Sequence, residues 1–397
     1  MSLTLQACQH LDVQDPLRPL RDLFDIPPGM IYLDGNSLGA LPRATAPRLQ
    51  AVVQQEWGVG LIRSYNTAQW FEQPHLLGDR LAPWLGAGEG EVVVTDTTSV
   101  NLYKVLSVAM AMATQDRPQQ RVLLSEQGNF PTDLYMAESL CAQHGWQLRC
   151  VPAGELAQHL TPEVGVLMLT HVHYRTGSMW DMALWSQRAH DVGALAVWDL
   201  AHSAGAVPLA LKADHADFAV GCGYKYLNGG PGAPAYMYAA PRIIGSVAQP
   251  IPGWFGHAEP FAFEDTFRPA PGIARFSSGT THVLSMKAMH AALGVINRYP
   301  IDDLRTTCIR LGDFFVEGYE TFLSTSGFEL GSQREGARRG GHIALLHPDA
   351  ERMSKELIAR SLIVDYRPPN VIRIAFSPLF LRFTDVARLV GELSRLN

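Results

Sequence analysis

Asp217-Phe-Ala-Val-Gly-Cys-Gly-Tyr-Lys-Tyr-Leu-Asn-Gly-Gly230 decides how this chain is read. An apolar stretch of the length of one buried strand ends near Cys222, and Lys225 follows at the edge of a glycine-rich turn. At such a boundary an amine can be held beside a bound aldehyde, although a solvated loop lysine would look the same. A second stretch of the same build, Trp198-Asp-Leu-Ala-His-Ser-Ala-Gly205, tips the reading. There an apolar strand ends in the carboxylate of Asp199, and the imidazole of His202 follows closely.

A third stretch completes the set. Glu91-Val-Val-Val-Thr-Asp-Thr-Thr-Ser-Val-Asn-Leu-Tyr-Lys104 reads as a β-branched strand, a hydroxyl-rich turn and the start of a helix. Thr97, Thr98 and Ser99 stand where a helix N-cap belongs, and the unpaired amides of a first turn attract an anion. Ordinary capping explains that cluster alone. Taken with Lys225 and Asp199, it matches the three handles of pyridoxal 5′-phosphate: an aldehyde that takes a lysine, a ring nitrogen that needs an acid partner, and a phosphate.

Further from these stretches the chain alternates between apolar strands and helical patterns. Strands are expected at Glu91 to Thr95, Arg121 to Ser125, Gly165 to Thr170, Ala194 to Leu200, Phe218 to Cys222 and Ala235 to Tyr238, with helices such as Thr132 to His144 and Met182 to His190 between them. Continuous apolar strands separated by helices predict an α/β fold with a mainly parallel sheet covered on both faces, its ligands at the carboxyl ends of the strands. From Pro300 the pattern changes to a long helix, Asp302 to Thr321, strands at Gly341 to His347 and Asn370 to Phe376, and a closing helix, Asp385 to Leu396. The expected division is an N-terminal arm over 1–30 packing with the small domain, a large domain over 31–299 and a small α+β domain over 300–397. The basic, glycine-rich Arg334-Glu-Gly-Ala-Arg-Arg-Gly-Gly341 reads as a mobile surface loop.

Composition excludes several functions. The 397 residues are 47% apolar, enough for a substantial core. A net charge of -6 shows no basic excess, which argues against a nucleic-acid partner. No apolar run reaches the roughly 18 residues of a membrane-spanning helix, and Met1-Ser-Leu-Thr-Leu-Gln-Ala7 lacks the pattern of an export signal, so a cytoplasmic protein without a membrane partner is expected. The five cysteines are scattered without C-x-x-C pairing and fit reduced thiols. Fourteen histidines form no set at metal-ligand spacing, and no metal is called for.

The ordered motifs resemble the kynureninases, pyridoxal phosphate hydrolases of fold type I, the aspartate aminotransferase group. The likeness runs over nearly the whole length: Tyr32-Leu-Asp-Gly-Asn-Ser-Leu-Gly39, Trp57 to Trp70, Thr95 to Asn101, Asn129-Phe-Pro-Thr-Asp133, Leu169 to Gly177, Trp198 to Gly205, Tyr224 to Gly230 and Gly253-Trp-Phe-Gly-His257. It implies cleavage of L-kynurenine, or of its 3-hydroxy derivative, to the anthranilate and L-alanine, as in tryptophan degradation.

The resemblance also assigns roles residue by residue. Lys225 matches the cofactor-linked lysine, Asp199 the partner of the pyridine nitrogen and His202 the imidazole beside it. Thr98 and Ser99 match the phosphate turn, Phe130 the aromatic over the cofactor ring, Asp133 a carboxylate that fixes it and Thr170 a pocket hydroxyl. Tyr224 matches a phosphate-bound tyrosine placed to move protons, and Arg373 the arginine for the substrate α-carboxylate. Trp254 and Thr280 match residues that reach the phosphate from a neighbouring subunit, which implies a homodimer with shared active sites. Tyr65 stands where bacterial relatives usually carry a tryptophan facing the substrate's aryl ring, and this leaves the preference between the two substrates open. Each residue has a plain alternative as well: Phe130 and Trp254 as core aromatics, Thr170 as a strand-end hydroxyl, His202 as a satisfied buried histidine, Arg373 as a surface strand charge. Two other readings compete, another enzyme of the same fold such as a cysteine desulfurase or an aminotransferase, and a non-catalytic cofactor-binding protein.

Overall fold

Strands that are apolar on both faces need cover on both sides, and the fold follows from that demand. The computed structural model describes residues 4–245 and 247–396; residues 1–3 of the N-terminal arm, residue 246 and residue 397 lie outside the described residues. Its main sheet has seven strands: β1 (Val92–Val94), β2 (Val122–Glu126), β3 (Gln147–Val151), β4 (Val164–Thr170), β5 (Leu195–Asp199), β6 (Phe218–Cys222) and β7 (Ala235–Ala239), in the order β1-β7-β6-β5-β4-β2-β3. All neighbours are parallel except those of β7, which runs antiparallel to both β1 and β6. Every residue of β4, β6 and β7 is buried. At about 1.5–3 kcal/mol for each large aliphatic side chain removed from water, these strands are the centre of the hydrophobic core.

The helix α1 (Leu5–Gln14) lies at the N-terminus, the sheet is flanked by α2 (Thr98–Asp116), α3 (Pro131–His144) and α4 (Met182–Asp191), and α5 (Val283–Ile296) follows later in the chain. Local chemistry sets their ends. Thr97 caps α2 by accepting from the Val100 amide at 3.3 Å, and Asp181 caps α4 by accepting from Leu184 at 2.9 Å. Pro131 opens α3, and Gly145, at φ +68°, closes it.

A second, antiparallel sheet of four strands, β8 (Glu329–Leu330), β9 (His342–Leu346), β10 (Asp365–Arg367) and β11 (Val371–Ala375), has the order β8-β9-β11-β10. It belongs with α6 (Ile301–Phe322), α7 (Ala350–Ala359) and α8 (Phe383–Leu393). The N-terminal α1 packs on α8, where the Asp12 carboxylate accepts from the amides of Phe383 and Thr384 at 2.7 and 3.4 Å.

Three features differ from expectation. Strand β3 escaped notice because it is an edge strand with Gln147 and Cys150 exposed, so it lacks a continuous apolar run. Strand β10 is short and charged, and its residues stay only half-buried. The stretch 334–341 is an anchored connection, and Arg339 within it is 2% exposed. Arg339 pairs with Asp313 and donates to the Gln333 carbonyl, while Arg305 of α6 donates to the carbonyls of Gly336, Arg339 and Gly340. Two buried guanidiniums satisfying one loop's carbonyls look, in sequence, like a solvated basic patch.

Candidate active site

Parallel pairing brings the motifs together. The strand-end residues Thr170 and Asp199 are direct cross-strand partners, and Asp199 in turn faces Val220, five residues before Lys225. Strand β1 delivers the turn 95–98 to the same end, tied to β7 by the hydrogen bond from Thr95 N to the Ala235 carbonyl, 2.9 Å. The lysine loop fits closely against two glycines. A Cβ on Gly39 would fall 2.4 Å from the Lys225 carbonyl oxygen, and Gly205, at φ +85°, sits where a Cβ would fall 2.8 Å from the Tyr226 oxygen.

Lys225 Nζ lies 3.0 Å from His202 Nε2 and 5.9 Å from the centre of the Phe130 ring. Burial, followed by the charge of Lys225, holds the His202 imidazole well below its usual pKa, so it stays neutral and accepts from the lysine; its Nδ1 has no partner among the described residues. Asp133 and Asp199 form a buried carboxyl pair. Burial raises Asp133 well above the carboxylate range and the charge of Asp199 adds to this, so Asp133 keeps a proton and donates to Asp199. Burial also raises Asp199, and Lys225, the Ala201 amide at 2.7 Å and the Asp133 hydrogen bond offset this only in part. The two carboxyls therefore titrate as a coupled pair, and Asp133 is raised the further. Thr170 donates to Asn129, and its hydroxyl lies 3.5 Å from Asp133 Oδ2.

Thr97, Thr98, Tyr224, Cys222 and Ala235 border a cavity of about 260 Å³ at the start of α2. Thr98 and Ser99 are the first two residues of that helix, and their amides have no intrahelical acceptor. Burial, with Cys222 and Asp199 nearby, pushes the Tyr224 hydroxyl above its ordinary range, so it is a proton donor. The residues fit pyridoxal phosphate on these observations. An anion site lies at one end, a buried carboxylate at the other, and an amine sits between them beside a Phe130 ring that is 38% exposed.

The remaining expected residues lie elsewhere. Arg373 is buried on β11 and tied to Asp365 of β10 and to the Tyr174 carbonyl, whose own ring packs on Phe130 at 5.3 Å. Tyr65 stacks edge-on with Trp70 at 5.6 Å, Trp254 packs on Phe255 and Phe71, and Thr280 is exposed; among the described residues these three make no hydrogen bond or ring contact with the Lys225 cluster. Residue-by-residue reading missed Asn129, which bridges Ser125, Thr170 and the Phe130 amide. It also missed Asp365, whose only signal was a second acid-and-arginine pair ahead of Arg373.

Solved structures share this architecture. A cystine C-S lyase, C-DES, in complex with its product cysteine persulfide superposes with a TM-score of 0.80 at 18% identity, covering 92% of this chain and 97% of that one. The apo cysteine desulfurase of Thermococcus onnurineus NA1 gives 0.80 at 18%, covering 95% and 97%. Fold and site together define a pyridoxal phosphate-dependent enzyme of fold type I. Residues 304–393 match the family model described as kynureninase C-terminal domain. The kynureninase of Pseudomonas fluorescens is 47% identical over 396 residues, 98% of this chain and 95% of that protein, and the kynureninase of Burkholderia pseudomallei strain K96243 is 48% identical over 394 residues, 98% and 94%. The chain belongs to the kynureninase family.

Proposed function

We propose that the cluster around Lys225 is the centre at which this enzyme hydrolyses L-kynurenine to anthranilate and L-alanine. The observation that carries the reading is the meeting of Lys225, 3.0 Å from His202 Nε2, with the buried Asp133 and Asp199 carboxyls at the strand ends. Bound there, pyridoxal phosphate supplies an electron sink for the bonds broken at the substrate's α- and β-carbons. Lys225 would hold the cofactor and, once the substrate amine has displaced it, would be free to take the proton from Cα. Asp199 would pair with the ring nitrogen and favour its protonated form, and Asp133 would steady Asp199. The Thr98 and Ser99 amides receive the phosphate, and Phe130 covers the ring. Arg373 receives the α-carboxylate, water attacks the γ-carbonyl, and the Tyr224 hydroxyl gives a proton to Cβ as the Cβ–Cγ bond breaks.

Cys308 weighs against a desulfurase, because the one cysteine beyond Lys225 is buried inside α6 rather than carried on an open loop. The subunit arrangement is part of the same proposal: Trp254 and Thr280 reach the phosphate of a second copy, in a cytoplasmic homodimer. No helix of the described residues is long and apolar enough to cross a membrane. The packing of α1 on α8 supports an arm over 1–30 that embraces a small domain over 300–397, beside a large domain over 31–299.

The test is to incubate the purified protein with L-kynurenine and identify the products. Anthranilate and L-alanine are expected. Lys225→Ala should lose the long-wavelength absorbance of the lysine-linked cofactor together with turnover. Tyr224→Phe should keep that absorbance and lose turnover by about 10²–10⁴-fold. Normal turnover in either variant refutes its assigned role. The ratio of kcat/KM for kynurenine and 3-hydroxykynurenine, in the wild type and in Tyr65→Trp, shows whether Tyr65 sets the preference.

A further inference from the structure

Arg373 does not wait for substrate as a free guanidinium. It stands on β11 directly opposite Asp365 of β10, a cross-strand pair set by the register of the sheet. Its side chain is 2% exposed. Both Nε and Nη2 engage the same oxygen, Oδ2 of Asp365. Nη1 donates to the Tyr174 carbonyl at 2.6 Å, and Nη2 lies 3.2 Å from Ser37 Oγ. Arg367, two residues along β10, brings its Nε to 3.1 Å from that same Asp365 oxygen.

A guanidinium can grip a carboxylate with two parallel hydrogen bonds through its Nε/Nη2 side or through its Nη1/Nη2 end. The chain's own carboxylate takes the first. We infer that Asp365 is a positioning residue for substrate recognition: it clamps the Nε/Nη2 side of Arg373 and leaves the Nη1/Nη2 end, beside Ser37 Oγ and the Tyr174 carbonyl, for the substrate's α-carboxylate. This rests on the proposed role of Arg373 and adds the group that aims it. Without the clamp, the guanidinium would turn about its own chain and present either edge, and binding of an α-carboxylate would lose its fixed geometry.

The experiment measures KM and kcat for L-kynurenine, cofactor absorbance and thermal midpoint in the holoenzyme, in Asp365→Asn, Asp365→Glu and Arg373→Lys. Competitive inhibition by a kynurenine analogue is measured in its carboxylate and its carboxamide forms. Asp365→Asn should raise KM about tenfold or more with kcat within about threefold and the absorbance unchanged. Its preference for the carboxylate inhibitor over the carboxamide should collapse. Asp365→Glu keeps the charge but moves the oxygen by one methylene against a set register, and KM should rise at least about threefold. A wild-type KM in either aspartate variant overturns the inference, as does a loss of kcat, cofactor and thermal midpoint together with KM unchanged, the pattern of a purely structural pair. Arg373→Lys separates the two readings. If it leaves KM unchanged, the carboxylate role of Arg373 fails; if it raises KM while Asp365→Asn does not, only the role of Asp365 fails.

Discussion

Two aspartates near the pocket show how surroundings give one residue type different work. Burial raises Asp199, but Lys225, a backbone amide and the Asp133 hydrogen bond all pull toward its anion. Asp34 has weaker support. Burial pushes its carboxyl up to about 6, with Asp365 adding to the rise, and the Ser37 hydrogen bond and the charges of Arg373 and Arg367 only partly offset it. An acid whose folded pKa lies above the unfolded value stabilises the fold while protonated, and that contribution disappears as pH rises through the folded value. Above pH 6 the Asp34 anion is therefore a cost, with an upper limit on the order of 3 kcal/mol because one side of the group still meets solvent. Asp34→Asn should raise the thermal midpoint at pH 8, and the gain should vanish below about pH 4. An equal shift at both pH values would place the effect in packing instead. At this scale Lys225 and Asp199 stood out in the sequence, Asp199 at the end of one apolar strand and Lys225 just past another. Asp34 and Asp365 were not, since nothing in their neighbours reveals who faces them.

Elements were legible in proportion to how far they are buried on both faces. Strand β6 matches its expected limits, Phe218–Cys222, and β4, β5 and β7 match within a residue or two at each end. Strands β3 and β10 were hidden because edge strands keep polar residues on their open side. Caps show the same limit. The Thr97 cap of α2 can be read locally, whereas α8 is capped by Asp12, 371 residues away from Phe383. The Asp12 carboxylate also accepts from the Thr384 hydroxyl at 2.7 Å, so it joins the first helix to the last. Asp12→Ala should cost on the order of 1–2 kcal/mol, seen as a lower thermal or urea midpoint, with the cofactor spectrum unchanged in the folded fraction. Unaltered stability would show that water replaces the carboxylate at no cost.

The whole molecule presents an apolar surface that a lone subunit does not need. The π-helical stretch Val52–Gly60 and the turn after it expose Trp57 at 56% and Ile62 at 76%, with Val59 and Leu61 between them. Trp57 also lines a surface depression of about 400 Å³ with Trp70, Val283 and Leu284. Clustered exposed side chains of this size mark a contact surface. In the proposed homodimer they meet a second copy and bring Trp254 and Thr280 to its phosphate site. Ile62→Asp should shift sedimentation toward the monomer and weaken cofactor retention together with turnover, while the subunit keeps its circular dichroism. A dimeric, fully active Ile62→Asp enzyme would remove this surface from the interface.

By itself the sequence determined the strand-helix alternation, the three motifs that meet at the strand ends and the family to which they belong. Buried strands and the residues at their ends carry that information in a short, contiguous run. Only the tertiary structure decided that Asp133 is buried against Asp199, that Arg373 is held by Asp365, and that 334–341 is pinned by Arg305 and Arg339. Each of these depends on which distant side chain lies within a few ångströms, and on how little water remains between them.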